Sequence, residues 1–214
     1  MNNDVQKTDI YFRDYLVSHL TSPHFIKDEA ELKKFCAGAD FYPETDRYAL
    51  VLIHIERWSS VLTTEAQWLE SSKHHFFVLS NMLTELLNRK NIAVTAERDY
   101  QMVCLVNLRQ SWDAFRDELA RDLEQVMEVL ETEFGISVTI AVSQEAQGLT
   151  SLPVAYMQAR DVLWYNEYLE RDRQITFYEH LCDEYLPMIR SDLTELDKKL
   201  ISKLQLGDAA GVKY

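Results

Sequence analysis

The segment Tyr48–Ile55 constrains the fold of this chain more than any other segment does. It reads YALVLIHI, and its residues are apolar on both alternating faces. Strands of this kind lie in the middle of a sheet that is covered on both sides. We therefore expect an α+β protein in which helices pack on a central sheet. The even-numbered positions of this strand are predicted to share one face: Leu50, Leu52, His54 and Glu56.

Amphipathic patterns and end signals predict the helices. Residues 8–20 carry an apolar stripe that ends before a Thr-Ser-Pro sequence, and a short helix is expected over Asp28–Cys36. A long helix is predicted within Thr64–Asn88, because apolar residues recur there on one helical face. Ser111 is predicted to cap the next helix, and Gly135 to end it in the left-handed conformation.

Four shorter runs predict the remaining strands. Two of them, separated by Glu97–Tyr100, are expected to form a hairpin. A further helix is predicted to begin at Ser151 as its N-cap, with Pro153 tolerated in the first turn. The order of strands and helices matches a ferredoxin-like antiparallel sheet with one added strand. The four runs are Ile92–Ala96, Gln101–Val106, Ile136–Val142 and Gln174–Phe177.

The composition excludes several functional classes. The 214 residues carry 22 basic and 35 acidic side chains, and the net charge of -13 would repel the phosphate backbone of DNA. Cys36, Cys104 and Cys182 are widely spaced, so neither a disulfide framework nor a zinc knuckle is expected, and a reduced, cytoplasmic setting fits best. No apolar run approaches the roughly 20 residues of a membrane span, so we expect no membrane contact by this chain.

The predicted elements divide the chain into three parts. Residues 1–45 form an N-terminal helical extension, residues 46–180 the sheet-containing domain, and residues 181–214 a C-terminal helical connector. The connector is expected to contain a helix over Asp192–Leu206 that begins with a capping box. Because Val212–Tyr214 looks like the start of another element, we expect the sequence to continue in a longer protein.

Four segments resemble, in order and spacing, the GGDEF-like middle domain of YesN-type regulators of the AraC family. They are YALVLIHIERW (48–58), AERDYQMVCLV (96–106), FGISVTIAVS (134–143) and the helix with Tyr156, Gln158 and Ala159. The resemblance extends from about Ile10 to the C-terminus. It implies the palm fold of nucleotide cyclases, with helical extensions at both ends.

The resemblance also marks the positions of a cyclase site. In active diguanylate cyclases the first strand ends in an Asp-x-Asp-like segment that holds metal, and the hairpin turn carries Gly-Gly-Asp/Glu-Glu-Phe. Here His54 replaces the leading aspartate and both glycines are absent, so a bulky, partly anionic turn would crowd a purine nucleotide and repel its phosphates. The resemblance therefore implies no catalytic residues, no cofactor and no bound metal. The matching positions are His54, Glu56, Glu97, Arg98, Asp99, Tyr100 and Gln101.

The function implied by this resemblance is regulatory. The chain is expected to be a non-catalytic linker domain, as in two-component response regulators, that forms a homodimer. It would relay a signal from an upstream receiver or sensor domain to a C-terminal helix-turn-helix domain outside this chain, and DNA would be bound only there. This coupling remains a hypothesis.

Two alternatives remain open. His54, Glu56 and Asp99 would be the metal-binding residues of a divergent nucleotide-binding or cyclase-like enzyme, whereas the plainer interpretation of His54 and Glu56 is a solvated strand end. A small-molecule sensor would use the aromatic residues as a pocket, although aromatics at helical spacing are more often core. The tryptophans concerned are Trp58, Trp68, Trp112 and Trp164.

Smaller features favour packing over chemistry. Ala155 and Ala159 lie one helical turn apart, which favours close packing on the sheet and leaves a dimer contact as the alternative. His74 and His75 are adjacent, so they diverge on a helix and cannot form a metal-binding pair. Ser143 has no G-x-S-x-G motif around it, which argues against a hydrolase.

Overall fold

The computed structural model describes residues 13–22, 29–55, 65–98, 101–168 and 175–184, without the side chains of 65–75, 168 and 182–184. The helices in this part of the chain are α1 (described over 13–20), α2 (Glu29–Gly38), α3 (Glu65–Leu87), α4 (Trp112–Phe134), α5 (Leu152–Tyr168) and α6 (Tyr178–Glu184). The strands are β1 (Arg47–Ile55), β2 (Ile92–Arg98), β3 (Gln101–Asn107), β4 (Val138–Val142), β5 (Ala146–Gln147) and β6 (Ile175–Phe177).

The sheet has the ferredoxin-like arrangement that the element order predicts. Its strands lie in the order β2-β3-β1-β4-β6, and β1 to β4 form an antiparallel sheet. Strand β6 pairs with β4 in parallel, which requires the crossover that α5 supplies. The short strand β5 pairs with the first residues of β1. The predicted α+β, ferredoxin-like fold is therefore confirmed.

The central strand β1 is covered on both faces, as its apolar sequence predicts. Residues 48–53 are at most 1% exposed. On one face Val51 lies opposite Val142 of β4, and α3 and α4 cover this face with an apolar layer. On the other face Leu52 lies opposite Ala141, and α5 packs there against β1 and β4. His54 is on the face of Leu52, as predicted, while Glu56 lies outside the described residues.

Helix α4 begins and ends at the residues that its local signals predict. The Ser111 hydroxyl accepts a hydrogen bond of 3.4 Å from the backbone N–H of Ala114. Gly135 adopts a left-handed φ of 65°, and its N–H donates to Glu131. The apolar stripe of this helix is buried against the sheet: Phe115, Leu119, Leu123, Val126 and Leu130.

Several predicted boundaries shift for identifiable reasons. Strand β2 extends to Arg98 and strand β3 to Asn107, because the ladder continues through polar residues whose backbone can still pair. Strand β4 starts at Val138 and not at Ile136, since the Ile136 N–H is used by the end of α4 and donates to the Leu130 carbonyl at 2.9 Å. Ser151 is not a helix cap. It lies in a 3-10 turn, Leu149–Ser151, and its hydroxyl donates to the carbonyl of Gly148 at 2.8 Å.

The chain consists of two compact units, Met1–Tyr178 and Glu179–Tyr214. The first unit contains the sheet. In the second, residues Glu179–Glu184 are helical, and the predicted closing helix Asp192–Leu206 lies outside the described residues. Within the described part of the chain, no helix combines the length and the apolar character of a membrane span.

Candidate functional site

The sheet brings four polar side chains into one row at the end of β1. His54 lies directly opposite Gln101 of β3 on one side and Thr139 of β4 on the other, and Gln101 in turn lies opposite Arg98 of β2. Residues directly opposite one another share a face of the sheet, so all four are on the face that α5 covers. Thr139 is the member of the row that the sequence analysis missed, although it is the one polar residue in VTIAV.

Arg98 connects the end of the hairpin to two helices. Its guanidinium carbon lies 4.8 Å from the ring centroid of Tyr156 on α5, within the range of a cation–π contact. The same guanidinium donates a hydrogen bond to the hydroxyl of Thr21, directly after α1. Tyr156 and Thr21 are 4% and 2% exposed. The Arg98 side chain therefore acts as an internal link between β2, α1 and α5.

The neighbouring residue, Glu97, fastens α1 to the edge of the sheet through its backbone. Its N–H donates to the carboxylate of Asp14, and burial of Asp14 raises the pKa of that carboxyl while this hydrogen bond opposes the shift. Leu16 and Val17 of α1 are each 1% exposed. Helix α1 is thus held at the hairpin by apolar packing together with the contacts to Glu97 and Arg98.

Ser80 and Thr84 of α3, together with Asn88 directly after it, contact other residues of β2. The Asn88 amide brackets Ala93: its oxygen accepts from the Ala93 N–H at 2.8 Å, and its nitrogen donates to the Ala93 carbonyl at 3.2 Å. The Thr95 hydroxyl lies 2.8 Å from that of Ser80 and 3.0 Å from that of Thr84. An edge strand otherwise presents unpaired backbone groups to other chains. The contacts of Asn88 and Asp14 therefore occupy the backbone groups of Ala93 and the N–H of Glu97 at this edge.

The described positions of the cyclase-like site do not form a metal centre. No group of three or more His, Cys, Asp or Glu side chains in this part of the chain could hold a metal ion. The neighbours of His54 in its row are an amide and a hydroxyl, whereas Mg²⁺ is bound mainly through carboxylate oxygens. Glu56, Asp99 and Tyr100 lie outside the described residues, so the predicted roles of these three stay predictions.

A groove of about 460 Å³ lies between the end of α4 and the start of β4. It is on the opposite face of the sheet from His54, because Val138 belongs to the layer that packs on α3 and α4. Its described lining combines apolar and acidic side chains: Met127, Glu128, Glu131, Ile136, Ser137 and Val138. It contains neither Trp112, at the other end of α4, nor Trp164 of α5. Trp58 and the side chain of Trp68 lie outside the described residues.

Among the remaining candidate residues, Ser143 and the two alanines of α5 have structural roles, and the histidine side chains lie outside the described residues. The Ser143 hydroxyl is buried, accepts from the Leu50 N–H at 2.9 Å and donates to the Gln144 carbonyl at 2.8 Å, so it extends the pairing of β1 with β4. Ala155 and Ala159 are 2% and 0% exposed and belong to the core, which excludes them from a dimer contact. The side chains of His74 and His75 lie outside the described part of α3.

The buried cysteines contribute no reactive thiol. Cys36 and Cys104 are both free and buried. Burial raises the pKa of the Cys36 thiol to about 11 and that of Cys104 still further, so both are protonated at neutral pH. Neither lies in the row of His54, since Cys36 is on α2 and Cys104 belongs to the apolar layer beneath α3 and α4.

Comparison with known proteins places this architecture in a family. A family model described as a GGDEF-like domain matches residues 39–164, more than half of the chain. The match covers β1 to β5 with α3 and α4, most of α5, and the whole row of His54. A comparison with curated proteins found no match. From the extent of the family match and the strand order, the chain belongs to the GGDEF-like domain family.

Proposed function

We propose that this chain is the non-catalytic regulatory and dimerisation linker domain of an AraC-type transcriptional regulator, of the YesN-like response-regulator kind. It would act in the cytoplasm, through contacts and not through chemistry. Membership of the GGDEF-like family supports the domain type. The net charge of -13 argues against DNA binding by this chain itself, so the proposal assigns DNA binding to a helix-turn-helix domain outside it.

The observation that carries this proposal is that residues at the end of the hairpin contact two helices. Glycines in a nucleotide-binding turn allow the backbone to approach a ligand closely. Here the corresponding region carries Glu97 and Arg98, whose contacts reach Asp14 and Thr21 at α1 and Tyr156 on α5. A region that holds two helices in place is suited to transmit a displacement between them.

The proposed mechanism begins at α1. This helix precedes the sheet in the chain, so an upstream receiver or sensor domain that displaces it would break the contacts at Glu97 and Arg98. The change would alter the packing or dimerisation of the domain, and the C-terminal connector would change the placement of two DNA-binding units. Two packings with a small difference in free energy are sufficient for such a switch.

Calorimetry and turnover assays test the absence of catalysis. The chain is titrated with GTP and with cyclic diguanylate, each with Mg²⁺ and with Mn²⁺. We expect neither binding heat nor turnover. Heat and turnover that disappear in a His54→Ala variant would instead favour a divergent cyclase-like enzyme, while loss in a matched Arg89→Ala variant on the surface would point to a general effect on folding.

The regulatory part is tested in the parent protein. Promoter affinity is measured with and without the activating input for the intact protein, for a variant without residues 1–214, and for Asp14→Ala. We expect the response to the input to be lost in the first variant and reduced in the second, with Asp122→Ala on α4 as the control. Promoter affinity and response that are indifferent to the deletion would reject the proposal.

A further inference from the structure

Helix α5 has a second apolar face that points away from the sheet. Val154, Met157 and Trp164 are 58%, 53% and 62% exposed, although each is a large apolar side chain. The three lie three and seven residues apart, so they form one stripe along the helix. The opposite face carries Ala155 and Ala159, which are buried in the core. An ordinary surface helix has a polar outer face, so this stripe requires an explanation.

Opposite charges flank this stripe at the same height. Successive residues of an α-helix are about 100° apart, which places Arg160 on one side of the line from Met157 to Trp164 and Asp161 on the other. Both side chains are exposed. The helix thus presents a basic flank, an apolar centre formed by Met157 and Trp164, and an acidic flank beside which Val154 lies.

We propose that this face, defined by Val154, Met157, Arg160, Asp161 and Trp164, binds the same face of a second copy of the chain, with the two α5 helices parallel. A two-fold axis parallel to the helices brings each basic flank to the partner's acidic flank at the same height. Arg160 then lies against the partner's Asp161, twice. In an antiparallel pair like flanks meet, and Arg160 would face the partner's Arg160. The charge pattern therefore selects both the partner and its orientation.

This inference names the surface for the dimerisation in the proposed function and rests on that function. The apolar centre is small compared with the ~800 Å² per partner of a standard interface. We therefore expect a weak, concentration-dependent dimer of the isolated chain. In the parent protein, other contacts that join the two copies would raise the effective concentration of this surface.

Sedimentation of the 214-residue chain over about a hundredfold range of concentration tests the surface. We expect the average mass to rise from one chain towards two. Val154→Asp should weaken association by about tenfold or more, because it replaces an apolar side chain of this face with a charged one. Val129→Asp is the matched control, since Val129 is an exposed valine on α4 at 40%, and it should leave association unchanged.

Charge exchange tests the orientation. Arg160→Asp and Asp161→Arg should each weaken association, and the double variant should restore it, because only a parallel pair recovers both ion pairs. Arg160 also lies 5.8 Å over the Tyr156 ring, so thermal unfolding of each variant is recorded, and Val154→Asp decides the outcome if Arg160→Asp fails to fold.

Three outcomes would overturn the inference: a chain that is monomeric at every concentration, a Val129→Asp variant as disruptive as Val154→Asp, or a double variant that is not restored. None of these outcomes affects the nucleotide assays of the proposed function, because those assays do not require the chain to dimerise. The two failures can therefore be told apart.

Discussion

Arg98 links the end of the hairpin to Thr21 after α1 and to Tyr156 on α5. We expect Arg98→Ala to lower the free energy of unfolding by about 1 to 2 kcal/mol, because the variant loses a cation–π contact and a hydrogen bond to a buried hydroxyl. Arg89→Ala is the control. Arg89 is 64% exposed and lies 4.0 Å from Glu85, so its loss should cost less than about 0.5 kcal/mol. Equal losses in urea unfolding would show that Arg98 is not a structural link.

Glu145 gives the fold a defined response to acid. Its carboxylate forms a bidentate ion pair with the guanidinium of Arg47, in which the two N···O distances are 2.7 and 2.9 Å. The hydrogen bond from Arg47 holds the pKa of Glu145 below its ordinary value of 4.5. A lowered folded pKa means that this stability is present above pH 4.5 and is lost as the pH falls through the folded pKa.

Glu145→Gln should therefore be less stable than the wild type by about 1 kcal/mol at neutral pH. The difference should shrink as the pH falls below 4.5, the ordinary value for a glutamate. Chemical unfolding at a series of pH values measures this difference. Glu85→Gln is the control. The Glu85 side chain is 81% exposed in its ion pair with Arg89, so this variant should show no such trend. A difference that stays constant with pH would mean that the ion pair does not stabilise the fold.

For individual residues, the sequence predicts the place of a side chain along a strand better than it predicts which residues that side chain contacts. His54 and Gln101 stand where the resemblance places them, because spacing along a strand fixes which residues reach its end. The contact of Arg98 with Tyr156 joins residues that are far apart in the chain, and that of Glu97 with Asp14 depends on where α1 packs. Local patterns carry no information on either contact. The strand positions of His54 and Gln101 were therefore predictable, whereas the place of Thr139 beside them and the contacts with two helices were not.

Among the helices and strands, α4 provides the clearest test of a local sequence signal, the glycine that ends the helix. Gly135 ends this helix with a φ of 65°, a conformation that costs a residue with a Cβ about 1 kcal/mol. We expect Gly135→Ala to be destabilised by that amount in thermal unfolding. Gly38→Ala is the control, since a Cβ at either glycine meets nothing within 4 Å and Gly38 lies at the end of α2 without a positive φ. It should be neutral or slightly stabilising. If the two variants were equally destabilised, conformation would not be the cause.

The elements that the sequence analysis missed are those without a local signal. Strand β5 has two residues, Ala146 and Gln147, and exists because the start of β1 extends far enough to pair with them. The 3-10 turn before α5 likewise replaces the predicted cap at Ser151, whose hydroxyl donates to the Gly148 carbonyl, whereas a capping hydroxyl accepts from a helix N–H. By contrast, both ends of α4 depend on residues within four positions of the helix, and both were predicted.

At the scale of the whole molecule, the order of strands distinguishes a central strand that is paired on both sides from an edge strand whose protection depends on α1. Strand β1 lies between β3 and β4, so its amides are paired on both sides, and helices cover both of its faces. Strand β2 is at the edge, and the outward N–H of Glu97 depends on Asp14 of α1. Such a sheet should open in stages, with the edge following α1 and the centre following global unfolding.

Native-state hydrogen exchange tests this separation. Asp14→Ala removes the acceptor of the Glu97 N–H, so we expect exchange at Glu97 to rise by about tenfold, in keeping with the loss of roughly one hydrogen bond. Exchange at Val51 of β1 should not change. Asp122→Ala on α4 should leave both amides as they are. If Asp14→Ala accelerated Glu97 and Val51 together, α1 and the central strands would open as one unit, and a displacement of α1 could not act on the hairpin alone.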